Sequence, residues 1–154
     1  MDQEKINAFF GIGKYTKKEE SEDNPVYTMF FDGCSKGNPG IAGAGASICS
    51  DEKEIWFQTI FVGDRETNNV AEYNGLVLGL GEAVRRNIKE LVVKGDSELI
   101  IKQMRGEYKV SSSKLQGLHK TAKQLSDIFH KITFIHIYRH FNKRADELAN
   151  KAIS

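Results

Sequence analysis

The chain has 154 residues, 40% of them hydrophobic, and a formal net charge of +1, which suits one compact domain with its own core. No run approaches about 18 consecutive apolar residues, and Asp2 and Glu4 stand where a secretory or mitochondrial signal would carry positive charge. These features argue against a membrane or secreted protein. We expect an intracellular monomer in which Cys34 and Cys49 are free thiols.

The charges divide the chain into two parts. Residues 1–24 carry four basic and six acidic side chains, whereas residues 25–154 carry 18 basic and 15 acidic ones. The first part ends in KKEESEDNP, a charged stretch with nothing to bury. We therefore predict a flexible tail over 1–24 and a folded domain over 25–154. If several of the domain's acids share one site, the remaining surface is basic enough to suit a polyanionic partner.

The first half of the domain has the pattern of strands. YTMFFDG, from near Val26, has apolar residues on both faces, which is typical of a central strand. SKGNPGIAGAG indicates a glycine-rich turn, and two further strands are predicted over about 44–50 and 55–62, separated by the polar turn SDEKE. Three strands with short links predict an antiparallel meander.

From Asn68 the apolar residues recur at spacings of three and four, which predicts an amphipathic helix to about Arg86. Its three glycines, Gly75, Gly79 and Gly81, each cost about 1 kcal/mol relative to alanine, so we expect close packing against the sheet. The remaining elements are, in order, ELVVKGD (strand), SELIIKQMRG (helix), SSSKLQGLHKTAKQLSDIF (helix with a serine cap), KITFIHIYR (strand) and NKRADELANKAIS (helix). The order βββαβααβα predicts an α/β fold, a mixed sheet with helices on its faces.

Four acids stand at the ends of predicted elements. Asp32 ends one strand and Asp96 follows another, so their carboxylates converge if these strands are parallel neighbours. Two carboxylates about 4 Å apart repel by about 4 kcal/mol at an effective dielectric constant near 20, which favours a cation between them. Glu72, near the start of the long helix, and Asp146, in the first turn of the last helix, could face the same crevice. Four oxygen ligands without His or Cys select Mg²⁺ or Mn²⁺, and two such ions would suit phosphoryl transfer.

Each acid taken alone has an ordinary structural explanation. Asp32 could be a turn residue, Asp96 a helix N-cap, Glu72 part of a solvated helix face, and Asp146 a partner of the helix dipole. The metal-site hypothesis depends on all four acids meeting in one place.

The segments DGCSKGNPG, TNNVAEYNGL, KGDSELIIKQMRGEYKV and NKRADELAN, in this order, resemble the motifs of type 1 ribonuclease H. The resemblance covers Tyr27 to the C-terminus. It is greatest to short members from archaea and some bacteria, because GEYKV leads almost directly into the next helix and the basic handle of longer relatives is missing.

The resemblance implies a five-stranded mixed sheet and an enzyme that cuts the RNA strand of RNA:DNA hybrids, leaving 3′-hydroxyl and 5′-phosphate ends. It implies that Asp32 bridges two Mg²⁺ ions, for which Mn²⁺ could substitute. Glu72 and Asp96 would complete one ion site and Asp146 the other.

Further residues follow from the same motifs. The family's substrate contacts fall on Gly33, Asn38, Arg65, Thr67, Asn68 and Ser97. RETNN could instead be only a polar loop, with Asn68 or Asn69 as the cap of the long helix. Longer relatives carry a histidine about ten residues before the last aspartate. His140 lies only six residues before Asp146, where short relatives often have another polar residue. It is a candidate to reach the scissile phosphate and assist catalysis. His119 and His130 have the pattern of exposed helix positions, His136 lies in a strand, and none of the three is assigned a role.

Two other functions remain open. Resolvases, transposases and integrases build similar acid clusters on similar sheets, although GNPG and TNN argue against them. A hybrid-binding protein without activity would need a catalytic defect that the sequence does not show.

The tail contains QEKINAFF, in which Gln3, Ile6, Phe9 and Phe10 have the spacing of the peptide that docks on the sliding clamp, proliferating-cell nuclear antigen. One helical turn would gather the three apolar side chains on one side. The stretch could also pack on its own domain, or match by chance. Clamp binding would indicate a role in removing RNA primers or misplaced ribonucleotides during replication and repair. The protein would then be nuclear in a eukaryote and cytoplasmic in an archaeon or a viral infection.

Overall fold

A five-stranded mixed sheet organises residues 25–154, which are the residues that the computed structural model describes. The strands lie in the order β3-β2-β1-β4-β5. β1, β2 and β3 are antiparallel neighbours, β4 is parallel to β1, and β5 is parallel to β4. Their bounds are β1 Tyr27–Lys36, β2 Gly40–Ser50, β3 Lys53–Glu66, β4 Glu90–Gly95 and β5 Lys131–His136. The predicted antiparallel meander and five-stranded mixed sheet are confirmed.

Within residues 25–154, four α-helices complete the predicted order: α1 Asn68–Arg85, α2 Glu98–Met104, α3 Ser113–Ser126 and α4 Lys143–Lys151. The hydroxyl of Thr67 caps α1 by accepting a hydrogen bond from the N–H of Val70. The expectation that Asn68 or Asn69 would be this cap is therefore wrong. The predicted serine cap of α3 is Ser112.

The helices cover the two faces of the sheet unequally. Met29 and Phe31 of β1 are fully buried and share the main core with Tyr73 and Leu76 of α1 and with side chains of α2 and α3. On the opposite face, α4 lies so close to β2 that a Cβ atom added at Gly45 would be 2.4 Å from Cβ of Leu148. The glycines of β2 therefore make room for the helix that carries Asp146.

Several element ends differ from the sequence prediction. β2 begins at Gly40, so most of the predicted glycine-rich turn belongs to the strand, which pairs with β1 from Ile41, opposite Lys36. β5 ends at His136, because its neighbour β4 ends at Gly95, and a single 3-10 turn follows over Arg139–Phe141. Residues 137–142, which lead to α4, therefore lie outside the strand.

Cys34 and Cys49 are free thiols on β1 and β2, as predicted. No helix within residues 25–154 is both long enough and apolar enough to cross a membrane. The predictions for Gln3, Ile6, Phe9 and Phe10 lie outside the described residues.

Candidate active site

Asp32 and Asp96 are brought together by two neighbouring parallel strands. Phe31 of β1 pairs with Gly95 of β4, so each aspartate follows a paired position by one residue. Asp32 is 4% exposed, and its Oδ1 accepts a hydrogen bond from the N–H of Gly33 at 2.9 Å. The expected convergence of the two carboxylates at one end of the sheet is therefore present.

Glu72 reaches these aspartates because α1 lies directly on β1. A Cβ atom at Gly33 would be 2.2 Å from the carbonyl carbon of Ala71, and one at Gly75 would be 2.6 Å from the backbone oxygen of Asp32. Only glycine permits this approach. One ligand oxygen from each of Asp32, Glu72 and Asp96 lies within 4.8 Å of the other two.

Burial and mutual repulsion change the acidity of this cluster. Burial raises the pKa of Asp32 from 3.8 to about 7, and the charge of Asp96 adds to the effect. The pKa of Glu72 is raised well above its usual range, first by burial and then by the charge of Asp32. Without a cation, the cluster therefore holds a proton near neutral pH.

Asp146 stands at the edge of this cluster, in the first turn of α4. Its side chain is 33% exposed, and its Oδ1 accepts a hydrogen bond from Nδ2 of Asn150 at 3.2 Å. Its carboxyl is close enough to Asp32 to contribute to the raised pKa of that residue. The fourth acid thus lies beside the other three and is more open to solvent.

Asn142 belongs to the site and was not predicted as part of it. The side chain is 1% exposed, and its Nδ2 donates to the backbone oxygen of Phe31 at 2.9 Å and to Oδ1 of Asp96 at 3.1 Å. It thereby fixes Asp96 relative to β1. The sequence signal was its place four residues before Asp146, where we expected only the start of a helix.

The donors of this cluster fit a hard divalent cation. All of them are carboxylate oxygens, the ligands that Mg²⁺ and Mn²⁺ prefer. Oε2 of Glu72 is buried without a hydrogen-bond partner in the described part of the chain. A cation bound between the acids would satisfy that oxygen and offset the repulsion.

A polar groove of about 520 Å³ adjoins the start of α1, and Asn38, Arg65 and Thr67 line it. Oδ1 of Asn38 accepts from the N–H of Asn68 at 2.9 Å, and Oδ1 of Asn68 accepts from the N–H of Ser35 at 2.8 Å. These bonds hold the turn after β1 against the start of α1. They leave the Nδ2 groups of both exposed asparagines without a partner among residues 25–154.

The other predicted site residues are Gly33, Ser97 and His140. Gly33, expected as a substrate contact, is buried under α1 and serves the acidic cluster. Ser97 is the N-cap of α2 and accepts from the N–H of Ile100. His140 is exposed on the 3-10 turn, and no hydrogen bond or ion pair joins its ring to an acid within 25–154.

His119 was expected to be exposed, and this was wrong. It is half-buried, and its Nδ1 lies 3.4 Å from the hydroxyl of Tyr73.

The strand order and the acidic cluster at the ends of β1 and β4 define the ribonuclease H-like fold. A family model described as reverse transcriptase-like matches residues 30–152. The ribonuclease H of Pseudomonas fluorescens is 34% identical over 151 residues, covering 86% of this chain and 94% of that protein. The chain belongs to the type 1 ribonuclease H family.

Two further similarities bear on its function. A bifunctional protein of Mycobacterium tuberculosis is 41% identical over 123 residues, which cover 79% of this chain and 34% of that protein. The chain thus spans about a third of the length of the first curated relatives it matches. The solved structure of a ribonuclease H1 named LC11, in complex with RNA/DNA hybrid, aligns with a TM-score of 0.76 at 34% identity, covering 82% of this chain and 96% of that one.

Proposed function

We propose that the protein is an endoribonuclease that hydrolyses the RNA strand of RNA:DNA hybrids and leaves 5′-phosphate and 3′-hydroxyl ends. The observation that carries the proposal is the convergence of Asp32, Glu72 and Asp96 within 4.8 Å. Family membership and the hybrid bound by a 34% identical relative support it.

The four acids have distinct parts in this proposal. Asp32, the most central, would contact two Mg²⁺ ions, with Glu72 and Asp96 completing one site and Asp146 the other. Two such ions would supply Lewis-acid chemistry, activating the attacking water and stabilising the leaving 3′ oxygen. Asn142 would keep Asp96 oriented, since its amide joins that carboxylate to β1. Mn²⁺ could substitute, because it takes the same oxygen ligands.

The polar groove would hold the duplex beside the acids. Nδ2 of Asn38 and of Asn68 would meet the minor groove of the hybrid, where 2′-hydroxyls distinguish RNA from DNA. Arg65 and the neighbouring Thr67 are exposed and would contact a phosphate of the DNA strand. The hydroxyl of Ser97 and the backbone near Gly33 would complete the contacts.

The substrate assignment is tested with labelled RNA:DNA, RNA:RNA, DNA:DNA and branched DNA duplexes, each in Mg²⁺ and then in Mn²⁺. We expect cleavage of the RNA strand of the hybrid in both metals. Preferential cutting of branched DNA would show that the site serves a resolvase or integrase reaction. Hybrid binding without cleavage of any substrate would indicate an inactive binding protein.

We further propose that residues 1–24 tether the enzyme to the sliding clamp, proliferating-cell nuclear antigen. Gln3, Ile6, Phe9 and Phe10 match every specified position of the docking peptide, and a charged linker separates them from the domain. Burying each apolar side chain could contribute about 1.5 to 3 kcal/mol before the cost of ordering the tail, which allows micromolar affinity. The enzyme would then act on primers or misplaced ribonucleotides where they arise.

Calorimetry of the full chain against a trimeric clamp tests this tether. Wild type should release heat on binding, and the double variant Phe9→Ala, Phe10→Ala should not. No heat from wild type, or equal binding by the double variant, would refute clamp docking and leave the nuclease proposal intact.

A further inference from the structure

Three aromatic side chains between β5 and α4 form an exposed row, which we call the aromatic row: Tyr138, His140 and Phe141. Tyr138 is 70% exposed, Phe141 is 65% exposed, and His140 is exposed between them. Large aromatic side chains usually bury most of their surface. Their exposure in one short segment indicates a binding surface rather than part of the core.

The rings of the row are arranged against one another. The rings of Tyr138 and His140 are parallel to within 4°, with centroids 6.2 Å apart. The ring of Phe141 lies 4.0 Å from that of His140, and His136 packs edge-on against Tyr138 at 5.9 Å. These contacts orient the rings while their outer faces stay open to solvent.

The row lies beside the acidic cluster. Asn142, the next residue after Phe141, contacts Asp96, and the guanidinium of Arg139 lies 3.7 Å from Oδ1 of Asp146. A nucleic-acid strand that enters the acidic cluster would therefore pass the aromatic row.

The surrounding charges favour an anionic ligand. Arg139 is 79% exposed although it lies near Asp146, and Lys143 is exposed without an ion-pair partner among residues 25–154. Arg144 is paired with Glu54 and Glu147 and is less available. Aromatic rings interleaved with cations form the kind of surface that binds single-stranded nucleic acid, because the bases stack on the rings while the cations meet the phosphates.

We propose that the aromatic row binds unpaired nucleotides of the RNA strand where that strand extends out of the hybrid. Within a duplex the faces of the bases are covered by their neighbours, so away from the duplex ends exposed rings can stack only on bases that have left it. The inference rests on the proposed function, since it assumes that the RNA strand passes the acidic cluster. It adds a preference for hybrids with a single-stranded RNA extension.

The test measures binding by the full chain in chelator, where no hybrid is cut. A blunt RNA:DNA hybrid is compared with hybrids that carry about six unpaired nucleotides at the 5′ or the 3′ end of the RNA strand, or on the DNA strand. The unpaired segments contain 2-aminopurine, whose fluorescence falls when the base stacks. We expect one RNA extension to tighten binding by roughly tenfold or more and to quench the fluorescence.

The double variant Tyr138→Ala, Phe141→Ala should lose this gain. Phe61→Ala is the matched control, because Phe61 is 56% exposed on β3, away from the row, and it should keep the gain. Equal affinity for blunt and extended hybrids, a gain that survives in the double variant, or an equal gain from a DNA extension would overturn the inference. Failure of wild type to cut any hybrid in Mg²⁺ would instead refute the proposed nuclease function, so the two failures are distinguishable.

Discussion

At the scale of single residues, ionisation of the buried Asp32 carboxyl lowers the stability of the folded protein. Burial raises its pKa from 3.8 to about 7, so the folded protein holds the proton more tightly than the unfolded chain does. The stability that this protonated form confers is complete below pH 3.8 and is lost as pH rises to about 7. In the absence of metal, ionising the site therefore opposes folding.

Asp32→Asn should abolish cleavage and stabilise the metal-free protein at pH 8. The amide is neutral and nearly isosteric, so it removes repulsion, and we expect a gain of about 1 to 3 kcal/mol in the free energy of unfolding. The advantage should build between about pH 4 and pH 7. Urea unfolding in chelator at several pH values measures it. Stability below that of wild type at pH 8 would contradict the electrostatic account.

Asn142→Ala should reduce kcat more than it raises KM. The variant loses the donor to Asp96 and to the backbone of Phe31, so the carboxylate loses its orientation, and stability should fall by about 1 to 3 kcal/mol. Calorimetric Mg²⁺ affinity should weaken as well.

Asn74→Ala is the control for Asn142, because in the described part of the chain the side chain of Asn74 donates only to the backbone oxygen of Val70. It should leave Mg²⁺ affinity unchanged. If both variants bind Mg²⁺ as wild type does, Asn142 has only a structural role.

His140→Ala should have a milder effect than loss of an acid. If His140 transfers a proton, its loss should lower the rate by up to about 10²-fold, the lower end of general acid-base effects. Single-turnover cleavage of a hybrid measures this rate. A loss as severe as that of Asp32→Asn would mean that His140 has a more central part than proton transfer requires.

At the scale of elements, Gly75 sets the distance between α1 and the acids on the sheet, whereas Gly81 faces open space. Gly75→Ala should destabilise the protein and lower activity, because the new Cβ would lie 2.6 Å from the backbone oxygen of Asp32 and push Glu72 away. Gly81→Ala should stabilise the protein by up to about 1 kcal/mol, because nothing lies within 4 Å of its Cβ and alanine favours a helix. Thermal unfolding and cleavage assays compare the two variants. Similar effects from both would show that helix propensity, rather than packing, governs α1.

The elements differ in how well the sequence predicts them. Within residues 25–154, the type and order of the strands and α-helices followed from periodicity, because the apolar spacing changes clearly at Asn68. The start of β2 did not follow from periodicity, because glycines that usually indicate turns here make room for α4. The packing reason given for the α1 glycines holds at Gly75 and Gly79, where an added Cβ would collide, but not at Gly81.

The convergence of Asp32, Glu72 and Asp96, with Asp146 beside them, was predictable because each acid stands near the end of an element that the topology brings to one end of the strands. The contact of Asn142 with the site was not predictable, because an asparagine before a helix usually indicates a cap. Here its side chain donates to Asp96 instead. Long-range contacts of this kind depend on tertiary packing and leave little trace in local sequence.

At the scale of the whole molecule, the acidic cluster lies at the ends of β1 and β4, and the aromatic row follows the end of β5. The polar groove adjoins the start of α1, the helix that carries Glu72. Only eight residues join α2 to α3, so no basic handle extends from this part of the domain. Few phosphate contacts are then available to the domain, which is consistent with recruitment through the proposed tail-to-clamp tether. The molecule would use the acids to cleave the RNA strand, and the polar groove and the aromatic row to select its substrate.

The most direct test of this account is cleavage of an end-labelled RNA:DNA hybrid by wild type and Asp96→Asn across a Mg²⁺ titration. The account predicts that wild type cuts the RNA strand only when Mg²⁺ is present and leaves 5′-phosphate ends. It also predicts that Asp96→Asn, although folded, retains less than a few per cent of that activity, since it removes one of the three converging carboxylates. Cleavage in chelator, or an Asp96→Asn variant with near wild-type activity, would contradict the assignment of the acidic cluster as the catalytic centre.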